Sequence, residues 1–247
     1  MSATRPRYQR ALEIQDKEKL VQEMFTSIAR SYDLNNTLLS LGLHYYWKRI
    51  AVELAALKPG DQVIDVGAGT FDLAIRAVPP VQSGGSVVAL DLNESMLKIG
   101  RAKAKQHGLD YRIRTAVGSA ESIPFRDNHF DAVLSGFCMR NVTDLSRAAG
   151  EILRVLKSGG RFVCLEFSQP SRPLLRRVYD FYSFLLLPKI GTLISRDATG
   201  VYRYLPASIR KFPAQEALSD LLLKTGFRSV SYKNLSGGIV AVHIAAK

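Results

Sequence analysis

The chain has 247 residues, enough for one large α/β domain with a sizeable core, and its 47% hydrophobic content is ordinary for a protein that folds in water. A net charge of +12 and a pI near 9.8 favour polyanionic surfaces, either nucleic acid or anionic lipid headgroups. Two cysteines and four histidines argue against a disulfide framework and a metal site, no apolar run reaches the length of a membrane span, and the opening Thr4-Arg-Pro-Arg-Tyr-Gln-Arg does not resemble a secretion signal. A reducing cytoplasm is the expected compartment.

Residues 1–17 are basic, contain Pro6 and show no apolar period, so they are expected to be mobile. Residues 18–247 read as a single domain that opens with an N-terminal helical cap, 18–57. Within it Leu20, Met24, Phe25 and Ile28 recur at helical spacing over Lys19–Ser31, and a helix over His44–Leu57 presents Tyr46 and Trp47 as its packing face. Lys58-Pro-Gly-Asp then turns the chain into regular α/β alternation. Strands are expected at Gln62–Gly67, Ser86–Asp91, Tyr111–Val117, Phe130–Ser135 and Gly160–Phe167, with helices at Thr70–Val78, Glu94–His107 and Asp144–Leu156 between them. A last helix, Pro213–Thr225, precedes a hairpin of Arg228–Asn234 and Ile239–Ala246 joined through Gly237-Gly238. This pattern predicts a Rossmann-like, seven-stranded, mostly parallel sheet with a terminal antiparallel hairpin, binding ligands at the strand C-terminal ends.

The segment 168–211 exceeds what a doubly wound sheet needs and is read as a lid over the ligand crevice. Between Arg172 and Lys211 it holds eight Lys/Arg and two Asp, beside the apolar run Phe181–Leu187. Basic and greasy residues together point to an anionic membrane surface before a nucleic acid, and nucleic-acid binding is disfavoured. The expected location is therefore cytoplasmic with peripheral membrane contact.

Val63-Ile-Asp-Val-Gly-Ala-Gly-Thr-Phe-Asp72 is strand, glycine turn and helix start, and a second buried strand ends in Asp91. Glycines admit a close ligand, a helix N-terminus offers free N–H groups, and an acid at the second strand end accepts from ribose hydroxyls. As a dinucleotide fingerprint the turn has Gly67 and Gly69 but Asp72 in the third glycine's place, which leaves a nicotinamide dehydrogenase as the weaker reading. Asp65, two residues before Gly67, gives acid-x-Gly-x-Gly, which resembles the cofactor loop of S-adenosylmethionine (SAM) methyltransferases. There the acids face a cationic sulfonium. In that arrangement Ser119 with its backbone neighbours lies beside adenine, with Ile123 as an apolar contact. Arg140 and Asn141 follow the fourth strand, where a methyl acceptor would sit. A guanidinium there suits an oxyanion. Asp144 reads as the cap of the next helix.

Six motifs together are very similar to the ubiquinone/menaquinone biosynthesis C-methyltransferase family from about Phe25 to the C-terminus. They are Tyr32-Asp-Leu-Asn-Asn, His44-x-x-Trp-Lys-Arg, Asp91-Leu-Asn-Glu-Ser-Met-Leu, Arg140-Asn-Val-Thr-Asp, Leu165-Glu-Phe-Ser-x-Pro and Tyr202-x-Tyr-Leu-x-x-Ser-Ile. The resemblance implies SAM-dependent C-methylation of a polyprenylated quinol ring: demethylmenaquinol, polyprenyl-benzoquinol or demethylphylloquinol. It implies SAM contacts from Thr70, Asp91, Leu92, Ser119, Ala120 and Ser135, beside Asp65, Gly67 and Gly69 of the turn. Tyr32, Arg140 and Asn141 would face the quinol with His44 as a weaker proton relay, and Tyr182, Tyr202 and Tyr204 would line its pocket. A homodimer, or contact with other quinone-biosynthesis enzymes, stays open. Phe71 stands where the family loop has glycine, so its ring must point elsewhere or reshape the site, and Cys138-Met139 replaces Gly-Leu. Two alternatives follow from these departures: an impaired or non-catalytic quinone-binding scaffold, and a methyltransferase for another acceptor.

Overall fold

Runs of Val, Ile, Leu and Ala with no polar face can only be buried on both sides, and that is where the sheet puts them. A computed structural model describes residues 17–170, 172–186, 188, 191 and 200–247. The strands are β1 (Gln62–Val66), β2 (Ser86–Asp91), β3 (Ile113–Val117), β4 (Phe130–Gly136), β5 (Leu156–Phe167), β6 (Ser229–Leu235) and β7 (Val240–Ala246). They form one sheet of order β3-β2-β1-β4-β5-β7-β6 in which β7 alone is reversed, antiparallel to both of its neighbours β5 and β6. The order reverses direction beside β1, so β1 and β4 open a crevice at their C-terminal ends.

The helices are α1 (Lys17–Ile28), α2 (Tyr32–Leu39), α3 (Leu43–Ala55), α4 (Asp72–Val81), α5 (Glu94–Gln106), α6 (Leu145–Val155), α7 (Pro173–Phe181), α8 (Val201–Lys211) and α9 (Gln215–Thr225). One buried layer joins α3, α4 and α5 to the sheet through residues such as Ala51, Ala74, Val78 and Leu97. The opposite layer joins α6 and α9 through Ala148, Ile152, Leu218 and Leu222. A third cluster lies above the strand ends: Leu20, Val21, Met24 and Ile28 of α1 pack on Val201, Tyr202 and Tyr204 of α8. The N-terminal cap and the lid insertion thus share one small core.

Several boundaries move for physical reasons. The helix expected from Thr70 begins at Asp72, because Phe71 is in the left-handed region (φ 70°) and cannot be its first turn. It also runs past Val78 through Pro79 and Pro80, whose fixed φ is helical although each removes a backbone donor. Tyr111 belongs to a 3-10 turn, Asp110–Arg112, and β5 starts at Leu156, paired with Phe130, rather than at Gly160. Asp144 does cap α6, its carboxylate accepting from the Arg147 N–H at 3.0 Å. Lys17, at the edge of the expected mobile stretch, opens α1 and donates to the Arg140 and Val142 carbonyls. Residues 1–16, and Leu187 of the apolar lid run, lie outside the described residues. No described helix is long and apolar enough to cross a membrane.

Candidate active site

Two cavities meet over the C-terminal ends of β1 and β4. The first is lined by the loop after β1 (Gly67, Gly69), the end of β2 (Asp91, Leu92, Asn93), the turn after β3 (Gly118, Ser119, Ala120, Glu121), Cys138, and Glu18, Gln22 and Phe25 of α1. Gly67 (φ 72°) and Gly69 (φ 51°) take left-handed conformations, and a Cβ at Gly67 would overlap Cys138. The Asp91 carboxylate spans the loop, accepting from Gly69 N–H and Asn93 N–H at 2.8 Å each. Burial pushes its pKa up. Glu18, Asp91 and Glu121 supply acidic charge, and among the described residues no lysine or arginine lines the cavity. A pyrophosphate would find no cation there, whereas the positively charged sulfonium and amine of SAM fit that charge. Glycine turn, an acid at the end of β2 and acidic lining together suit SAM better than a dinucleotide.

The second cavity, about 410 Å³, is large and apolar. Its floor is an aromatic group: Phe137 and Phe167 with ring centroids 4.6 Å apart, and Trp47 at 6.3 and 6.2 Å from them. Leu38, Leu39, Leu41 and Leu43 line one side and Tyr179, Tyr182, Tyr202 and Tyr204 the other. Tyr182 donates to the Leu39 carbonyl at 2.7 Å, which ties the end of the lid helix to the cap. Two buried cations line the cavity, Lys48 and, next to this floor, Arg140, whose Nη1 donates to Glu166 Oε1 at 2.8 Å and to the Phe137 carbonyl at 2.6 Å. The guanidinium lies 5.5 Å over the Phe167 ring, and its Nε is buried with no hydrogen-bond partner among the described residues. Burial works against its charge, but the Glu166 carboxylate more than restores it and raises its pKa.

Phe25, Tyr32 and Phe137 line both cavities, so a ligand in one faces a ligand in the other across these rings. Asn141 belongs to the cofactor side and accepts from the Tyr204 hydroxyl at 3.2 Å, which belongs to the apolar side. Burial pushes the Tyr32 and Tyr204 hydroxyls up to about 12, so both stay protonated and donate at neutral pH.

Residues 13–247 match the ubiE/COQ5 methyltransferase family. The chain belongs to that family. It is 44% identical over 95% of its length to the ubiquinone/menaquinone biosynthesis C-methyltransferase UbiE of Shewanella frigidimarina, covering 93% of that protein. It is 47% identical over 97% of its length to the protein of the same name from Ectopseudomonas mendocina, again covering 93%. Among solved structures, a SAM-dependent methyltransferase from Thermotoga maritima is similar at a TM-score of 0.62 and 22% identity, covering 91% of this chain and 98% of that one. A geranyl diphosphate methyltransferase in complex with SAM matches at 0.59 and 16% identity, over 84% and 88% of the two chains. These structural likenesses show the fold, and the family makes this chain a SAM-dependent methyltransferase.

Within the ubiE/COQ5 frame the expected site residues divide. Gly67, Gly69, Asp91, Leu92, Ser119 and Ala120 line the cofactor cavity, and Tyr32, His44, Arg140, Tyr182, Tyr202 and Tyr204 line the apolar one. Three others are turned inward. Asp65 accepts the Ala74 N–H at 3.0 Å at the root of α4, and burial raises its pKa to about 7, so it shapes the loop from beneath. Ser135 donates to the Val66 carbonyl at 2.9 Å, holding β4 to β1. Thr70 donates to Asp33 Oδ1 at 2.6 Å. None of these three lines the cofactor cavity. His44 is buried beside Thr37, 3.1 Å from its Oγ1, and burial with the Lys48 charge lowers its pKa to about 4. It is neutral at pH 7 and a weak base.

Asp72, which stands in the third glycine's place of the turn, is taken up by two lysines. It pairs with Lys48 of α3 at 2.5 Å and with Lys103 of α5, and Lys103 also meets Asp33 of α2 at 2.9 Å. Burial favours the neutral acid, but the two ammoniums hold Asp72 well below the usual carboxylate range. This network fastens the cap to the cofactor loop. Sequence reasoning also passed over Glu166, although a lone acid in the apolar run Val163-Cys-Leu-Glu-Phe167 is a buried charge and needs a partner.

Proposed function

We propose that this methyltransferase acts on a ring carbon of a prenylated quinol, with the ring against Arg140, Tyr204 and the Phe137–Phe167 floor and the tail leading out between Leu41 and Tyr182. The observation that carries this reading is a buried guanidinium, its Nε without a partner among the described residues, in a largely apolar cavity that adjoins the cofactor cavity; the cavity's other buried cation, Lys48, is held by Asp72. When bound, SAM supplies an electrophilic methyl group. The protein must make the ring carbon nucleophilic. Arg140, kept charged by Glu166, lowers the pKa of a quinol hydroxyl beside it and stabilises the resulting oxyanion. Neither His44 nor Tyr32 is a strong base, so the hydroxyl proton leaves to water. A small cavity behind Arg140 and Tyr204, whose polar lining includes Lys17, Thr143 and Ser208, offers it a route. The Tyr204–Asn141 hydrogen bond and the shared rings Phe25, Tyr32 and Phe137 align ring and methyl group, and alignment accounts for much of the rate. Loss of the ring carbon's own proton then restores aromaticity.

The surface supports a membrane source for such a substrate. Leu41 is 89% exposed at the cavity rim, and Leu174, Val178 and Phe181 form an exposed stripe on α7. Exposed Arg172, Arg176 and Arg177 lie beside that stripe. Apolar side chains flanked by guanidinium groups suit an anionic bilayer surface, from which the tail need only partly withdraw.

The test is transfer of radiolabelled methyl from SAM to short-tailed acceptors by the purified protein. Label is expected on reduced demethylnaphthoquinol or benzoquinol, and none on the oxidised quinones or on RNA. Label on RNA, or none on any quinol, would overturn the reading.

A further inference from the structure

We infer that Phe71, the residue that departs from the family's glycine loop, is a positioning residue for SAM that locks the cofactor loop onto α5 through a matched glycine, Gly100. Phe71 is fully buried, and a Cβ built at Gly100 would fall inside contact distance of three of its ring carbons. The ring therefore points away from the cofactor and fills the gap between the start of α4 and the middle of α5. Its backbone is fixed as well: Phe71 N–H donates to the Ala68 carbonyl at 2.8 Å, and its own carbonyl accepts from Ile75 N–H at 2.8 Å.

Both elements that the ring joins line the cofactor cavity, the loop through Gly67 and Gly69 and the N-terminal end of α5 region through Asn93 and Met96. A Cβ at Gly69 would lie 3.6 Å from Met96 Cε, so the two walls already face each other closely. A buried aromatic carries a large apolar contact, and here it holds a non-glycine residue in a left-handed conformation that is unfavourable on its own. The surrounding packing keeps that backbone in place. The loop's shape is thus fixed from behind by the ring.

The experiment is calorimetric titration of SAM into the variants Phe71→Gly, Gly100→Ala and their combination, with thermal unfolding of the ligand-free proteins alongside. By helix propensity alone, alanine at the mid-helix Gly100 would stabilise the protein. A ring with nowhere to go predicts the opposite: G100A lowers Tm and raises the SAM Kd about tenfold. F71G, which removes the lock, raises the Kd by a similar factor, and the double variant binds no worse than F71G because both changes act on one contact. Phe71→Leu keeps apolar volume and binds between wild type and F71G, which preserves the test where F71G fails to fold. Variants that lose Tm but keep the SAM Kd within twofold would overturn the inference, and so would strictly additive effects in the double variant.

Discussion

Replacing Arg140 by lysine is expected to lower kcat by on the order of 10²–10³ while leaving thermal stability close to wild type. The two readouts separate because Arg140 has two duties. One is to neutralise Glu166, which is 2% exposed and would otherwise be a buried carboxylate with no counter-ion. A lysine ammonium can do that. The other, in the proposed mechanism, is to present its remaining guanidinium donors to an oxyanion while Nη1 stays on Glu166 and the Phe137 carbonyl. A lysine has one compact charge, no planar fork, and no second donor edge to share between partners. Arg140→Ala tests the first duty instead. It strands Glu166, and removing one partner of a buried pair costs about 3–5 kcal/mol. Unfolding midpoints and single-turnover rates of both variants check the account. Equal loss of stability in R140K and R140A would mean that the guanidinium is only structural.

Asp72→Asn is expected to be among the most destabilising single changes in the cap, again by about 3–5 kcal/mol, because it leaves the buried Lys48 without its counter-ion. The helix start also loses the favourable charge at the N-terminus of α4, about 0.3–1 kcal/mol. The sign of the pH dependence follows from the depressed pKa of Asp72. Its contribution is complete above the ordinary carboxylate pKa of about 4 and is lost progressively as pH falls below it. D72N therefore flattens the acid side of the stability curve as well as lowering its plateau. Adding Lys48→Met removes the stranded ammonium and should recover much of the loss, since an apolar replacement of a buried pair is often close to neutral. Chemical denaturation between pH 3 and pH 8 measures all of this. A D72N protein as stable as wild type would place the network in solvent rather than in the cap.

Elements whose burial is decided locally were legible in the sequence. The apolar runs at Val63–Val66 and Val87–Leu90 specify strands covered on both faces, and the glycine turn between them specifies where a cofactor lies. That Arg140 and Asn141 lie beside the ligand crevice was legible because they follow the end of β4, and the structure puts them on the apolar and cofactor cavities. What the sequence concealed are pairings across long separations. The sequence does not join Asp33, Lys48, Asp72 and Lys103, since nothing in local periodicity says that α2, α3, α4 and α5 converge. Thr70 and Ser135 were expected at the cofactor, yet neither lines its cavity and their hydroxyls donate to Asp33 and the Val66 carbonyl. Phe71 shows the limit most clearly. Its position in the loop argued for a damaged site, and only the empty face of Gly100, 29 positions later, shows where the ring goes.

Calorimetric titration of the purified wild-type protein with SAM and with its demethylated product tests the central claim most directly, namely that the acidic cavity beside β1 is a working cofactor site. Binding at micromolar levels, about −8 kcal/mol, is the predicted result. A folded sample that binds neither compound would contradict it, and would leave an apolar quinol-sized cavity with no methyl donor to serve it.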